Sequence, residues 1–262
     1  MMGVQISRSA MGLLVGGLGV LMGLFGGPAT LGAEEPTTIE QSADYFPDTP
    51  GSRWAYRGQI TEGPLQIIKN KLFTNVSTVE GTKAIKGVKV TVFHDTNPGN
   101  HGPADSYYRR DSAGIVYYGS HPGTPLEKQI TPYQIFRFPL KVPSSFEQFD
   151  RSNLDFGTDM DRDGVDEKTD VKGWSSVIGR ETVTVPAGTF TDTVKVEAKM
   201  TMRIHLSSAR RTISGFDVMT AWFAKGVGLV KYSERQELAG VKEDRGVVVE
   251  IMEELEQYEV KK

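Results

Sequence analysis

Between Val183 and Tyr232, β-branched and aromatic residues alternate with polar ones along the chain. Short breaks containing Pro186, Gly188, Gly226 and Gly228 separate the runs. A period of two is typical of strands that bury one face, and such breaks mark turns between them. No long segment has apolar residues at helical spacing. The sequence therefore predicts an all-β, mainly antiparallel fold.

The N-terminal segment has the pattern of a secretory signal peptide. Arg8 is the only charged residue before Glu34, an apolar run covers residues 11–27, and small residues lead to Ala33. A retained transmembrane anchor is the alternative, but a span needs about 20 solidly apolar residues and glycines interrupt this run. We interpret residues 1–33 as a cleaved signal, which predicts a periplasmic or extracellular protein without a stable membrane span.

The remaining chain has the composition of one independently folding domain. It contains no cysteine, so disulfides cannot stabilise it and no cysteine is available for a lipid anchor. Residues 34–262 carry 29 basic and 33 acidic residues, a near-neutral balance that argues against nucleic-acid binding. We predict a flexible leader at 34–44 and a single β domain at 45–262, in which Glu253, Glu254 and Glu256 would discourage edge-to-edge pairing of the last strand.

Three faint internal echoes suggest a duplicated β unit. Pro47 matches Pro139 and the glycine pairs are Gly81 with Gly188 and Gly114 with Gly228, which gives pseudo-repeats at 45–120 and 137–235. The uneven offsets place an insertion near residues 155–170. Convergence is the alternative, because strand-turn-strand sequences resemble one another for physical reasons.

The predicted insertion contains the most specific chemical signal in the chain. Carboxylates recur at alternate positions, and Gly164 permits a sharp turn, as in calcium loops. The candidate metal ligands are Asp159, Asp161, Asp163, the Val165 carbonyl, Glu167 and Asp170. The flanking residues do not form a helical pattern, so we expect a free-standing loop that Ca²⁺ stiffens. A solvated acidic hairpin tip is the alternative.

The sequence offers no recognisable catalytic motif. The four histidines have no zinc-site spacing, and no Gly-x-Ser-x-Gly elbow follows a strand. We therefore predict no catalytic residue and a protein that is not an enzyme. A hydrolase stays an alternative, and it would need clustered carboxylates or a Ser-His pair in a cleft.

Four motifs together resemble a broad group of exported bacterial β proteins of unknown function, including TapB-like envelope proteins. The motifs lie at residues 45–56, 107–118, 185–190 and 222–231. The resemblance implies a strongly curved sheet, similar to the half-barrels of the LolA and LolB lipoprotein carriers, and it implies no catalytic residues. We expect a binding or scaffolding module of the envelope with an unknown envelope protein as partner. The alternative is a carrier that holds a lipid or other apolar small molecule in its concave face.

Overall fold

The computed structural model describes residues 36–64, 69–208, 210–241 and 246–262, so the predicted signal peptide lies outside the described residues. Strands dominate this part of the chain. They are β1 (Thr37–Ile39), β2 (Arg53–Pro64), β3 (Lys69–Ile85), β4 (Val88–Asp95), β5 (Ala104–Asp111), β6 (Gly114–His121), β7 (Tyr133–Arg137), β8 (Leu140–Val142), β9 (Ser144–Asp155), β10 (Lys168–Val185), β11 (Gly188–His205), β12 (Thr212–Ala224), β13 (Gly228–Leu238) and β14 (Val247–Glu259). The short helix α1 covers Pro125–Ile130, and 3-10 turns cover Ser42–Tyr45 and Pro98–Asn100.

Twelve of the strands form one antiparallel sheet, which confirms the predicted fold class. Their order is β7-β6-β5-β4-β3-β2-β14-β13-β12-β11-β10-β9, and β1 and β8 form a separate two-stranded sheet. Most neighbours in the sheet are also neighbours in sequence. The exception is β14, which enters between β2 and β13 and joins the two meanders.

The large sheet curls until its two edge strands meet. The rings of Tyr133 in β7 and Phe149 in β9 have centroids 5.0 Å apart. Gln148 Nε2 also donates a hydrogen bond to the Gln134 carbonyl at 3.0 Å. The sheet is therefore a nearly closed, barrel-like structure, more strongly curved than the expected half-barrel.

Alternation of side chains gives the curled sheet a packed inner face. Every second residue of β13 from Gly228 to Leu238 is buried, as the period of two predicts. At one inner position the ring of Phe73 covers Gly58, where a Cβ atom would lie 2.2 Å from the ring. Glycine at position 58 therefore makes room for a large side chain on the neighbouring strand.

The described part of the predicted leader at 34–44 contacts the rest of the domain. Strand β1 pairs with β8, and both Ile39 and Ser42 are buried. The Ser42 hydroxyl accepts a hydrogen bond from the Leu140 N–H at 2.7 Å. The segment is ordered because it covers apolar residues at one end of the barrel-like sheet, a long-range contact that local polarity does not reveal.

The sequence echoes fall at positions of different kinds. Gly114 and Gly228 each begin a strand after a turn and both have positive φ. Gly81 lies at a register shift within β3, whereas Gly188 begins β11. The pseudo-repeat stays a prediction.

Among the residues described, no helix is both long enough and apolar enough to cross a membrane.

Candidate binding cavity and acidic loop

The predicted acidic loop joins β9 to β10, and it brings three carboxylates together. Asp159, Asp161 and Glu167 each offer an oxygen within 4.8 Å of the other two. Asp161 and Glu167 are buried, and Asp159 is partly buried. The structure thus places half of the six predicted ligands in one group.

Backbone N–H groups hold these three carboxylates in place. Glu167 Oε1 accepts from the N–H groups of Met160 and Asp161, both at 3.3 Å, and Oε2 accepts from that of Ser207 at 2.8 Å. The Ser208 hydroxyl donates to Asp161 Oδ2 at 2.7 Å. Asp159 accepts from the N–H groups of residues 162–164, and Gly164 provides the positive φ of the turn.

The other predicted ligands have different surroundings. Asp163 accepts from the Ser207 hydroxyl at 2.7 Å, and Val165 is exposed. Asp170 lies within β10, where its carboxylate contacts His205 Nε2 at 2.8 Å. A hydrogen bond from the Asn153 N–H lowers the pKa of Asp170, and the hydrogen bond with His205 lowers it further. Neither Asp163 nor Asp170 belongs to the carboxylate group, because β10 begins at Lys168 and carries Asp170 beside β11.

The donor chemistry of the remaining group fits a hard cation. Three carboxylates supply the oxygen ligands that Ca²⁺ prefers, and water could complete the shell. Asp159, Asp161 and Glu167 would hold the ion, which would supply positive charge and tie the loop to the turn at Ser207 and Ser208.

A second candidate site lies inside the barrel-like sheet. It is a cavity of about 150 Å³ between the concave face and the segment Tyr45–Asp48. Trp54 and Phe93 stack with centroids 6.3 Å apart, and Tyr108 meets Phe93 edge-on at 5.5 Å. Nine aromatic residues line it: Tyr45, Phe46, Trp54, Tyr56, Phe93, Tyr108, Phe136, Phe223 and Tyr232.

One end of the cavity carries two carboxylates that a single amide joins. Asn75 Nδ2 donates to Asp95 Oδ1 at 3.0 Å and to Glu253 Oε2 at 3.4 Å. The Gly99 N–H donates to Glu253 Oε1 at 2.9 Å. Asn75, Asp95 and Glu253 belong to β3, β4 and β14 respectively, and all three line the cavity.

Burial perturbs the ionisable groups at this end. It raises the pKa of Asp95 to about 6, and the nearby Glu253 carboxylate raises it further while Asn75 opposes the shift. Burial, with Asp95 and Glu253, also raises the pKa of Tyr56 well above its usual range. The Tyr56 hydroxyl donates to the Leu229 carbonyl at 3.0 Å. The site therefore holds negative charge in a poorly solvated place.

The buried charges of the described residues are all acidic. No lysine, arginine or histidine is buried among them. Six acidic side chains are buried: Glu127, Asp161, Glu167, Asp217, Glu234 and Glu253. Buried charge is costly unless something compensates it, and of these six residues Glu253 is the one that lines the cavity.

Asp95 and Glu253, the carboxylates of the cavity, were not predicted from the sequence as site residues. Glu253 was predicted to discourage pairing at a sheet edge, which is wrong because β14 lies between β2 and β13. The signal was present in the alternation of β14, since Glu253 continues the buried face of Ile251 and precedes buried Leu255. Asp95 ends β4 without a comparable signal.

Comparison with known proteins gives a partial family match. Residues 133–242 match a family model described as DUF3108-like. This region runs from β7 to the end of β13 and includes the acidic loop, whereas the cavity residues of β2–β5 and β14 lie outside it. No curated protein matches the chain. The resemblance to TapB-like envelope proteins stays a prediction.

Two solved structures are also similar to the chain. One, from Bacteroides fragilis NCTC 9343, is described as an exported protein with a YmcC-like fold; it shows 16% identity and a TM-score of 0.34. The other, from Parabacteroides distasonis ATCC 8503, is described as a lipoprotein and shows 18% identity and a TM-score of 0.35. Each comparison covers 82% of this chain and 98% of the other.

Proposed function

We propose that this chain is an exported, non-enzymatic binding protein that holds a small, largely apolar molecule inside its barrel-like sheet. The aromatic cavity is the observation that carries the proposal. Ligand sites are typically concave, apolar and equipped with a few convergent polar groups, and this cavity combines aromatic walls with Asp95, Asn75 and Glu253 at one end.

The sequence of residues 1–33 supports export, to the periplasm or beyond, because it has the three parts of a secretory signal. The protein would therefore meet its ligand in the envelope or outside the cell. This proposal favours the carrier alternative over a purely scaffolding role. An envelope protein stays the second kind of partner.

The size of the cavity favours a compact ligand. Its volume is about 150 Å³. An engineered cavity of about that size in another protein binds benzene. A whole lipid does not fit such a space, whereas a small molecule or the terminal group of a larger one does.

Native mass spectrometry of the protein purified after export tests the proposal. We expect a co-purifying small molecule on the wild type. Thr91→Phe should remove it, because Thr91 lines the cavity and the added ring would fill it. Thr74→Phe is the matched control, since Thr74 is exposed on β3 and lies outside the cavity lining. A clean protein mass for the wild type, or an equal adduct on Thr91→Phe, would contradict the proposal.

A hydrolase is the second candidate, because Asp95 and Glu253 form the pair of neighbouring carboxylates that such an enzyme would need. We favour binding because Asn75 and Gly99 hold the two groups with hydrogen bonds from the protein itself. If the bound molecule were chemically altered by the wild type and not by Asp95→Asn, the enzymatic proposal would replace the binding one.

We further propose that Ca²⁺ stiffens the acidic loop through Asp159, Asp161 and Glu167. Two buried carboxylates beside a third repel one another, and a divalent cation would offset that repulsion. The role is structural, because the loop would be tied to the turn at Ser207 and Ser208.

Thermal melting with and without chelator tests the calcium proposal. EDTA should lower the midpoint of the wild type and leave Asp161→Asn unaffected. Asp166→Asn is the control, since Asp166 is exposed in the same loop and lies outside the carboxylate group. An unchanged wild-type midpoint in EDTA would refute calcium binding.

A further inference from the structure

The polar end of the cavity indicates the charge of its occupant, an inference that depends on the proposed binding function. Asp95 and Glu253 come from β4 and β14, strands that are far apart in the sequence, and both line the same cavity. Asn75 donates to both carboxylates. The fold thus assembles two negative groups at one wall.

Neutral groups donate hydrogen bonds to both carboxylates. Asn75 and Ser77 donate side-chain hydrogen bonds to Asp95, and the Gly99 N–H donates to Glu253. His94, which precedes Asp95 in β4, pairs with Asp105 at 2.8 Å. Arg110, which also lines the cavity, donates to the carbonyls of residues 43 and 46 and pairs with Asp48. His94 and Arg110 thus each pair with an acidic residue other than Asp95 and Glu253.

The aromatic walls narrow the class of cation. Trp54, Tyr56 and Phe93 line the cavity with Asp95 and Glu253, and the electron-rich face of an aromatic ring attracts a cation. Asp95 and Glu253 do not belong to the group of three acidic residues that could hold a metal ion in the described part of the chain. An ammonium group with apolar substituents can use both the carboxylates and the rings.

We infer that the cavity binds an organic cation, a quaternary or protonated amine with apolar substituents, between Asp95 and Glu253 on one side and aromatic rings on the other. The carboxylates compensate the charge, and the rings enclose the alkyl or aryl groups. An anionic ligand is disfavoured because it would meet two carboxylates in a poorly solvated space.

A matched pair of probes tests the charge preference by isothermal titration calorimetry at pH 7.5. Choline and 3,3-dimethylbutan-1-ol have nearly the same shape, but only choline is charged. The wild-type protein should bind choline at least roughly tenfold more tightly. Asp95→Asn and Glu253→Gln should each weaken choline binding by roughly tenfold and change alcohol binding by less than about twofold. Glu256→Gln, at an exposed position of β14, should leave both affinities unchanged.

The outcomes separate this inference from the proposed function. If the alcohol binds as tightly as choline, or if both carboxylate variants keep the wild-type preference, the charge inference is overturned while cavity binding stands. If neither probe binds to the wild type, the organic-cation inference fails, and native mass spectrometry of the purified protein still decides the proposed function. Because Asp95→Asn removes a poorly solvated charge, we expect it to fold, and its melting curve verifies this.

Discussion

At the scale of single residues, Asp95 works against the stability of the protein. Its pKa rises from 3.8 to about 6 in the folded state, mainly because burial disfavours the charged form. The folded state therefore binds this proton more tightly than the unfolded state does. Residues that cost stability in a cavity are often kept for function, which agrees with a role in ligand binding.

We predict that Asp95→Asn stabilises the ligand-free protein at neutral pH. The shift in pKa corresponds to at most about 3 kcal/mol, and the lost carboxylate–Asn75 contact reduces the gain. Protonation of Asp95 stabilises the wild type fully below pH 3.8, and this contribution is lost as pH rises through about 6. The advantage of the variant should therefore be largest above pH 6 and shrink toward pH 4.

Urea denaturation of both proteins from pH 4 to pH 8 measures this difference. Glu253, His94, Asn75 and Ser77 also influence Asp95, but they are present in both proteins. A difference that does not vary with pH would show that Asp95 is not the titrating group.

Gly58 provides a second residue-scale prediction. A Cβ atom at this position would lie 2.2 Å from the Phe73 ring, so Gly58→Ala should destabilise the protein by about 1–3 kcal/mol. Gly179→Ala is the control, because no atom lies within 4 Å of the Cβ that it adds. Equal unfolding free energies for the two variants in urea would contradict the close packing described here.

At the scale of elements, alternation and turn residues correctly predicted strands and their breaks between Val183 and Tyr232. Strand β10 ends at Val185 and β11 begins at Gly188, on either side of the predicted break. Pairing between distant strands was not predictable in this way. Placement of β14 between β2 and β13, and of β1 beside β8, depends on contacts between segments far apart in the chain.

The candidate site shows the same limit. Spacing alone located the acidic loop, and the structure brings Asp159, Asp161 and Glu167 of the six predicted ligands together. It could not show that Asp170 belongs to β10 and pairs with His205. Side chains from nine strands line the cavity, namely β2 to β7 and β12 to β14, so no local sequence pattern could predict it.

The segment that covers the cavity yields an element-scale prediction. Arg110 donates to the carbonyls of Ala43 and Phe46, and the Gly226 N–H donates to the Asp44 carbonyl at 2.8 Å. Arg110→Ala should loosen this segment and speed hydrogen exchange at the Gly226 amide by roughly tenfold or more. Arg109→Ala is the control, because Arg109 pairs with Asp111 instead. Unchanged exchange at Gly226 in Arg110→Ala would show that Arg110 does not hold the segment.

At the scale of the whole molecule, closure of the sheet creates the conditions for binding. The β7 and β9 edges meet, the segment before β2 covers one end, and the cavity lining combines aromatic rings with the carboxylates of Asp95 and Glu253. This interior excludes much of the solvent, so the attraction between its carboxylates and a cation is stronger than at the surface.

A crystal structure of the protein soaked with arsenocholine at pH 7.5 tests this account most directly, because arsenic gives an anomalous signal at the position of the cationic head. We predict one strong arsenic peak in the cavity, beside Asp95 and Glu253 and in contact with the rings of Trp54 and Tyr56. A structure without arsenic inside the barrel-like sheet, at a concentration that saturates choline binding sites of millimolar affinity, would contradict it.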